Sequence, residues 1–214
     1  MNDALSPVPV SICLPVSEKA TDLIGQPVST TISSIPRVRS PPIECGRLPF
    51  LIRRDGSWLY QGTPIRRKEL VCLFASVLRR DTNGVWWLRT PAERGQIDVE
   101  DAPFVAVELE WSGNARRQTL SFRTNVDQVV TAGPDHPIRV SYDLYTCEPT
   151  PYLLVRAGDG IYGIEARINR AVYYEMVALA VPEYVSAQLM LGVWSSGQFF
   201  PLGVFPDDEN DQNV

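Results

Sequence analysis

A single histidine, His136, lies in the string Asp135-His136-Pro137. An imidazole can act as a general base beside a serine or cysteine nucleophile, or it can contact a ligand. Neither a Gly-x-Ser-x-Gly elbow nor a papain-like cysteine context occurs in the sequence. The string therefore favours a strand-entry turn with a hydrogen-bonded imidazole over a catalytic base, and it leaves ligand contact open.

Three carboxylates occur close together at Asp98, Glu100 and Asp101, just before Pro103. Such a cluster can do acid–base work or hold a divalent cation. It can equally end a strand and cap the following turn, or pair with a buried arginine. The termination of a strand is the favoured interpretation. No metal site is expected.

Arginines occur as adjacent pairs at residues 53–54, 66–67, 79–80 and 116–117, in a chain whose net charge is −5. Nucleic-acid binding needs a summed positive field, so this balance argues against it. The pairs are interpreted as solvated faces that could still bind an anion locally. Since no glycine-rich phosphate loop is present, no nucleotide or other cofactor is expected.

The chain shows signs of an internal duplication. Residues 49–53 align with residues 152–156 at an offset of 103, and the same offset places Ile65 on Ile168 and Arg67 on Arg170. Each copy is predicted to contain a strand, a turn, a second strand and then a helix. Two similar halves commonly pack face to face, so a ligand cleft is expected between them.

Apolar spacing predicts the helices and the turns. Helical periodicity predicts two apolar faces, and these contain Leu70, Leu73, Phe74, Val77 and Leu78 in the first copy and Val172, Tyr173, Met176, Val177 and Ala180 in the second. Thr63-Pro64 and Asn169 are the predicted helix starts. Hairpin turns are predicted at Asp55-Gly56, around Gly158–Gly160 and around Ser195–Gly197.

Alternation predicts two inward strand faces, which contain Val105, Val107, Leu109 and Trp111 and then Ile138, Val140, Tyr142 and Leu144. Short turns between strands exclude a doubly wound dinucleotide fold. The predicted fold class is α+β, with two similar repeats, each a curved, half-barrel-like antiparallel sheet packed on one helix.

Composition divides the chain into four parts. Residues 1–42 hold seven of the eighteen prolines with many Ser and Thr, and they are predicted to be a disordered lead. The first repeat is predicted at 43–123 and the second at 124–205. Residues 206–214 form an acidic tail that is also predicted to be disordered.

The sequence lacks both an eighteen-residue apolar run and a signal peptide, so a cytoplasmic location without membrane contact is expected. None of its four cysteines lies in a Cys-x-x-Cys pair, and reduced structural thiols are expected. Cys72 is predicted to be packed on the first helix.

Several strings, taken together and in order, resemble the bacterial domain of unknown function 1285 family. They include Pro49-Phe50-x-Ile52, Asp55-Gly56-x-Trp58, Val99-Glu100-Asp101-Ala102-Pro103-Phe104, Phe122-x-Thr124-Asn125, His136-Pro137-x-Arg139-Val140, Pro151-Tyr152-Leu153-x-Val155-Arg156 and Arg170-Ala171-Val172-Tyr173-Tyr174. The resemblance covers about residues 43–182. It implies a small α+β protein of two structural repeats with a ligand cleft and a role in signal transduction, and it establishes no substrate. The long lead and Ile161-Tyr162-Gly163 depart from the family pattern.

The predicted function is a non-catalytic, sensor-like module that binds a small polar or anionic molecule between the repeats and reports it to a protein partner or a homodimer. Its predicted ligand-binding residues are Arg67, Asp101, Thr124, Asn125, His136, Arg139 and Arg170. Arg67 and Arg170 each begin a helix, so each needs a carboxylate partner such as Glu100 or Asp101, or an anionic ligand. The alternatives are a small enzyme that uses Asp101 and His136, or a protein-interaction module that uses Trp86 or Trp87.

Overall fold

The computed structural model describes residues 41–205, which form an α+β fold. The predicted lead and acidic tail lie outside these residues, apart from positions 41 and 42. The predicted boundary between the repeats, at residues 123 and 124, stays a prediction.

The described chain contains fifteen strands and two α-helices. In order they are β1 (Ile43–Ile52), β2 (Trp58–Tyr60), β3 (Thr63–Pro64), α1 (Lys68–Val77), β4 (Leu78–Arg80), β5 (Trp86–Arg89), β6 (Glu93–Val99), β7 (Phe104–Ser112), β8 (Thr119–Thr124), β9 (Val129–Thr131), β10 (Ile138–Tyr142), β11 (Pro149–Arg156), β12 (Ile164–Ile168), α2 (Arg170–Ala178), β13 (Val181–Val185), β14 (Gln188–Ser195) and β15 (Gln198–Val204). A short 3₁₀ helix, Ala115–Arg117, lies between β7 and β8.

Two six-stranded sheets and one three-stranded sheet make up the fold. Their strand orders are β3-β2-β1-β6-β5-β4, β10-β11-β12-β7-β8-β9 and β13-β14-β15. Each six-stranded sheet is antiparallel except for its central pair, which is parallel: β1 with β6, and β12 with β7. With one helix following the first strands of each half, this architecture confirms the predicted α+β fold of two similar repeats.

The predicted turns form as expected. The Asp55-Gly56 turn joins β1 to β2, and Gly56 has a φ of +82°. A Cβ atom at Gly56 would lie 2.6 Å from Asn125 Nδ2 and 2.9 Å from Val105 Cγ2, so a larger residue would clash there. The turns of the β11–β12 and β14–β15 hairpins also lie where the sequence predicts them.

Only one of the two predicted helix starts is correct. Asn169 caps α2, because its Oδ1 accepts a hydrogen bond of 2.8 Å from the Val172 amide. Thr63 and Pro64 instead form β3, which pairs with β2, and α1 begins after Arg67 without a side-chain cap. Thr63 and Pro64 resemble a helix cap in sequence, but they extend the first sheet instead.

Helix α1 is less buried than its apolar pattern predicts. Leu73 is 61% exposed and Leu70 is 36% exposed, whereas Phe74, Val77 and Leu78 pack on the core. In α2, Val172 and Met176 are buried and the other predicted residues pack against the core, so that face is confirmed.

Strand β7 does not alternate in the predicted way. Its register against β8 shifts between Ala106 and Glu108, which marks a β-bulge that reverses the alternation. Ala106 and Leu109 are buried, while Val107 and Trp111 are exposed. The predicted inward positions of Val107 and Trp111 are therefore wrong.

The inward face predicted for β10 is correct only at its start. Ile138 is buried and Val140 packs on the core, but Tyr142 is 50% exposed and Leu144 is 92% exposed. Leu144 lies beyond the strand, in the loop before β11, and the Tyr142 hydroxyl donates a hydrogen bond to the Leu202 carbonyl at 2.6 Å.

The two adjacent tryptophans of β5 differ in burial. Trp86 is 8% exposed, and Trp87 is half-buried with its indole N–H donating to Asp81.

Among the described cysteines, Cys45 and Cys147 are exposed and Cys72 is half-buried, and all three are free thiols. Cys72 Sγ lies 3.5 Å from the Val126 carbonyl, which places it against the loop after β8.

Candidate functional site

A row of polar side chains crosses the outer face of the second sheet. Arg139 of β10 pairs with Tyr152 of β11, and Tyr152 pairs with Arg167 of β12. Adjacent positions on each strand point the other way, because side chains alternate along a strand. Ile138, Leu153 and Ala166 are accordingly buried in the core. Pairing of three strands thus brings together two arginines and a tyrosine from distant parts of the sequence.

Asp101 connects this row to the first half of the chain. Tyr152 donates its hydroxyl hydrogen to Asp101 Oδ1 at 2.8 Å. Arg54, in the β1–β2 turn, and Arg167 each place Nε 3.8 Å from Asp101 Oδ2. The Asp101 side chain is 17% exposed, so its charge is compensated in a partly buried position.

These groups surround a cavity of about 300 Å³, which we name the arginine pocket. Its lining residues are Arg54, Asp101, Ser141, Tyr142, Asp143, Leu144, Thr150, Tyr152 and Arg167. Arg54 and Asp101 come from the chain before β7, and the others come from β10 to β12. A cavity therefore exists at the seam between the early and late parts of the chain.

Ionisation in the pocket favours hydrogen bonding over proton transfer. Burial, followed by the hydrogen bond to Asp101, raises the pKa of Tyr152 to about 12. Hydrogen bonds from the backbone amides of Thr146 and Tyr145 hold the pKa of Asp143 below its usual value. At neutral pH the Tyr152 hydroxyl thus remains a donor, and Asp143 remains a carboxylate.

Arg139 supports the row from its edge. Its guanidinium stacks over the Tyr152 ring at 4.3 Å and donates two hydrogen bonds of 2.6 Å to Glu165. That bidentate pair raises the pKa of Arg139. Arg139 therefore stacks on Tyr152 and lines, with Glu165, a separate cavity of about 270 Å³ instead of the arginine pocket.

A second depression, of about 270 Å³, adjoins the arginine pocket and shares Thr150 and Arg167 with it. Arg170 lines it, with Nε donating to the Tyr174 hydroxyl at 2.9 Å and Nη1 lying 3.7 Å from Glu148. The Arg170 side chain is 75% exposed. Neither Glu100 nor Asp101 is the carboxylate partner of Arg170, because Glu100 accepts from the Arg54 amide and Asp101 is held by Tyr152, Arg54 and Arg167. An anionic ligand for Arg170 stays a prediction.

The other predicted site residues lie elsewhere. Arg67 is exposed at the start of α1. Thr124 is buried, and its Oγ1 accepts from the Gln128 amide. Asn125 accepts from the Val105 amide at 3.1 Å and donates to the Gly56 carbonyl at 3.0 Å, which ties the β1–β2 turn to β7. His136 Nδ1 lies 3.0 Å from the Leu154 carbonyl. Each of the last three satisfies backbone groups.

Sequence reasoning missed Arg54, Tyr152 and Arg167 as site residues. Alternation within Ile164–Ile168 does place Arg167 on a polar face, and alternation around Leu153 does the same for Tyr152. The sequence does not show that β11 pairs with β12. Only this pairing places the polar face of β11, with Tyr152, beside the polar face of β12, with Arg167.

Residues 41–205 contain neither a membrane-spanning helix nor a metal-binding cluster. No helix in this range is long and apolar enough to cross a membrane. No cluster of three or more His, Cys, Asp or Glu side chains that could hold a metal ion occurs among the same residues.

Comparison with known proteins defines the family. Residues 36–102 match the "Domain of unknown function (DUF1285), N-terminal domain", and residues 103–202 match the "Protein of unknown function (DUF1285), C-terminal domain". Together these matches span most of the chain, so the protein belongs to the DUF1285 family. The arginine pocket takes Arg54 and Asp101 from the N-terminal domain and its other residues from the C-terminal domain.

Two solved structures are similar to this chain. The crystal structure of a DUF1285 family protein from Silicibacter pomeroyi DSS-3 is 43% identical, with a TM-score of 0.68, and the match covers 77% of this chain and 84% of that one. A DUF1285 family protein from Shewanella baltica OS155 is 25% identical, with a TM-score of 0.45 over 61% of this chain and 91% of that one. A search of curated proteins found no match.

Proposed function

We propose that the protein is a non-catalytic, sensor-like module that binds a small anionic molecule in the arginine pocket. One observation carries the proposal. Within residues 41–205, the guanidinium groups of Arg54 and Arg167 make no hydrogen bond, although both lie beside a cavity. Their approach to Asp101 is electrostatic, at 3.8 Å, and is longer than a hydrogen bond.

The unused donors of two guanidinium groups favour a ligand rich in acceptors. The two carboxylates of the pocket each use their Oδ1 atom, which accepts from Tyr152 in Asp101 and from two backbone amides in Asp143. Each guanidinium offers five N–H donors in a planar fork, which suits carboxylate and phosphate oxygens. The unused hydrogen-bonding capacity of the two arginines is therefore entirely donor capacity. A ligand rich in acceptors uses it best.

The position of the pocket supports a role in reporting a ligand. A molecule that contacts Arg54 and Arg167 together bridges the N-terminal and C-terminal domains of the family. A ligand shifts a conformational equilibrium only by its differential affinity for the two states. A ligand that contacts both domains has a different affinity for each arrangement of the two domains, because a change in their relative placement breaks or forms its contacts. This argument supports the proposed part in signal transduction.

No specific observation favours the alternative functions. Asp101 lines the arginine pocket, whereas His136 is held by the Leu154 carbonyl and is not among the pocket residues. Trp87 is half-buried against Asp81 and Arg94, which engages the indole that a partner would need.

A ligand screen tests the proposal. The full-length protein would be analysed by native mass spectrometry for retained small molecules. Its thermal unfolding would then be followed with inorganic phosphate, citrate, malonate and glycerol phosphate. A bound anion at a hundred times its Kd stabilises the folded state by about 2.7 kcal/mol. We expect at least one of these anions to raise Tm by several degrees.

Arg167→Met is the decisive variant, because it removes the shared guanidinium and keeps an unbranched side chain. We expect it to abolish the anion-dependent rise in Tm. Arg66→Met is the matched control, since Arg66 is exposed and has no ion pair among the described residues. The proposed site would be contradicted if an anion raised the Tm of Arg167→Met and Arg66→Met equally. It would also be contradicted if no anion raised the Tm of the parent or of Arg66→Met.

A further inference from the structure

The arginine pocket is lined by carboxylates as well as by guanidinium groups. Arg54 and Arg167 contribute two positive charges to its wall, and Asp101 and Asp143 contribute two negative charges. A ligand that carries only negative charge would therefore lie close to two carboxylates, and like charges at short range repel each other. The wall of the pocket better complements a molecule that carries charges of both signs.

Asp143 has accepting capacity to offer to such a molecule. Its Oδ1 atom accepts from the backbone amides of Tyr145 and Thr146, at 2.9 and 2.8 Å. These bonds, that of Thr146 first, lower the pKa of Asp143, so the side chain stays ionised at neutral pH. A carboxylate can accept about four hydrogen bonds. Within residues 41–205 Asp143 forms no ion pair, so its negative charge has no cation in direct contact.

Arg54 and Arg167 lie close enough together to hold one small molecule. Each places Nε 3.8 Å from Asp101 Oδ2, so the two Nε atoms are at most twice that distance apart. Each guanidinium can bind a carboxylate through two parallel hydrogen bonds. Neither of them makes a hydrogen bond within the described part of the chain. Two guanidinium groups with unused donors therefore match two carboxylates of one ligand.

Two hydroxyl side chains and a small volume add to this match. Ser141 and Thr150 lie opposite each other on β10 and β11, on the same face as Arg139 and Tyr152. Both line the pocket, and a hydroxyl can donate as well as accept. The cavity of about 300 Å³ is at the small end of the range of about 300–1,000 Å³ that is usual for ligand sites. A small, polar molecule suits this space.

We propose that the arginine pocket binds a dicarboxylic α-amino acid, such as glutamate or aspartate. Its two carboxylates contact Arg54 and Arg167, and its ammonium group contacts Asp143. This inference rests on the proposed function, since it names the class of the small anion that occupies the same pocket. Such a molecule is anionic overall, and yet it places a positive charge beside the Asp143 carboxylate.

The test compares L-glutamate with glutarate, which has the same carbon chain and both carboxylates but no ammonium group. Binding of each to the full-length protein is measured by isothermal titration calorimetry at neutral pH. Glutarate lacks a hydrogen bond between charged groups, so we expect glutamate to bind about tenfold more tightly. Glutarate binding as tightly as glutamate, or no binding of glutamate, would overturn the inference.

Asp143→Asn identifies the group that holds the ammonium. The amide oxygen of an asparagine can still accept from the backbone amides of Tyr145 and Thr146, so the loop keeps these bonds. We expect this variant to bind glutamate about tenfold more weakly than the parent does. It should bind glutarate at least as tightly, because one negative charge has been removed from the pocket.

Asp135→Asn is the matched control. Asp135 is exposed, has no ion pair among the described residues and lines none of the cavities described above. The control should bind both ligands as the parent does. Equal losses of glutamate affinity in the two variants would overturn the assignment of Asp143. The comparison of the two ligands on the parent decides the proposal even if Asp143→Asn fails to fold.

Two further outcomes distinguish this inference from the proposed function. Equal affinity of the parent for glutamate and glutarate, with both lost in Arg167→Met, would overturn the amino-acid proposal and leave the anion pocket intact. Failure of these two ligands and of all four molecules of the anion screen to bind the parent would overturn both proposals.

Discussion

Two arginines at the seam between the family domains use their guanidinium groups in opposite ways. Arg156, at the end of β11, donates to the Ala75 and Leu78 carbonyls at the end of α1, at 2.6 and 3.2 Å, and lies over the Phe104 ring. Arg167, on the neighbouring strand, makes no hydrogen bond within residues 41–205 and borders the arginine pocket. Both join the two domains, but within residues 41–205 only Arg156 holds backbone carbonyls, through Nη2, while its Nε is buried without a partner.

This difference separates a structural arginine from a candidate ligand arginine. Burial lowers the pKa of Arg156, followed by the nearby charge of Arg79, and yet Arg156 remains the group that satisfies the end of α1. Hydrogen bonds to the carbonyls at the end of a helix indicate a role in folding. A guanidinium that borders a cavity and makes no hydrogen bond to the described residues indicates a role in recognition. We therefore expect replacement of Arg156 to lower the free energy of unfolding much more than replacement of Arg167.

The largest effect is expected at Arg156. Replacing it with Ala leaves the last carbonyls of α1 without their side-chain donor and removes the packing on Phe104. Hydrogen bonds from a charged group contribute about 1.5–3 kcal/mol, so Arg156→Ala should lower the free energy of unfolding by about 2–4 kcal/mol. Urea denaturation measures this, with the exposed Arg117→Ala as control. A loss no larger than the control's would remove the distinction between the two arginines.

A smaller loss is expected at Asn125, a predicted ligand residue that the structure places between Gly56 and Val105. Asn125→Ala leaves a partly buried amide and a carbonyl without partners, which costs about 1–3 kcal/mol. Anion-induced stabilisation should persist, because Asn125 does not line the arginine pocket. Loss of anion binding without loss of stability would instead make Asn125 a ligand residue.

The Tyr152 hydroxyl should give a pH-dependent contribution. Its pKa is raised from 10.0 to about 12 in the folded state. This contribution is therefore fully present below pH 10 and is lost as pH rises towards 12. Allowing for solvent screening, it amounts to about 1 kcal/mol.

The measurement is the difference in unfolding free energy between the parent and Tyr152→Phe from pH 8.5 to pH 11. The difference should shrink above pH 10. Tyr184→Phe is the control, because Tyr184 is 71% exposed. A difference that stays constant across this range would show that Asp101 does not hold the hydroxyl in solution.

The smallest losses of stability are expected at the arginine pocket and the depression beside it. Arg170→Ala should change the free energy of unfolding by less than about 1 kcal/mol, since its ion pair with Glu148 is exposed. Arg167→Met should also cost less than about 1 kcal/mol, because its Nε lies beyond hydrogen-bond distance of Asp101, which Tyr152 and Arg54 still hold. The same denaturation experiments measure both. A loss at Arg167 equal to that at Arg156 would make both arginines structural.

Several features of the fold could be predicted from local patterns. The Asp55-Gly56 turn, the Asn169 cap and the apolar face of α2 depend on neighbouring residues, so spacing along the chain is sufficient to find them. The start of α1 could not be found in this way. Thr63 and Pro64 have the composition of a helix cap, and pairing with β2 overrides it.

The candidate site was much less predictable. Asp101 was identified as a site residue, but Thr124, Asn125 and His136 resemble ligand residues only because polar side chains at strand ends serve ligands and backbone groups alike. Their neighbours in space decide between these roles. Thr124 binds a backbone group 4 residues away, Asn125 binds two that are 20 and 69 residues away, and His136 binds one that is 18 residues away.

The sequence by itself determined the α+β class, the two-repeat pattern and the family, because hydrophobic periodicity, turn residues and ordered motifs are local properties. Only the tertiary structure decided that Arg54, Asp101, Tyr152 and Arg167 meet around one pocket. The physical reason is strand pairing. Register between β10, β11 and β12 aligns side chains that are distant in the chain, and the β1–β2 turn brings Arg54 to the same carboxylate.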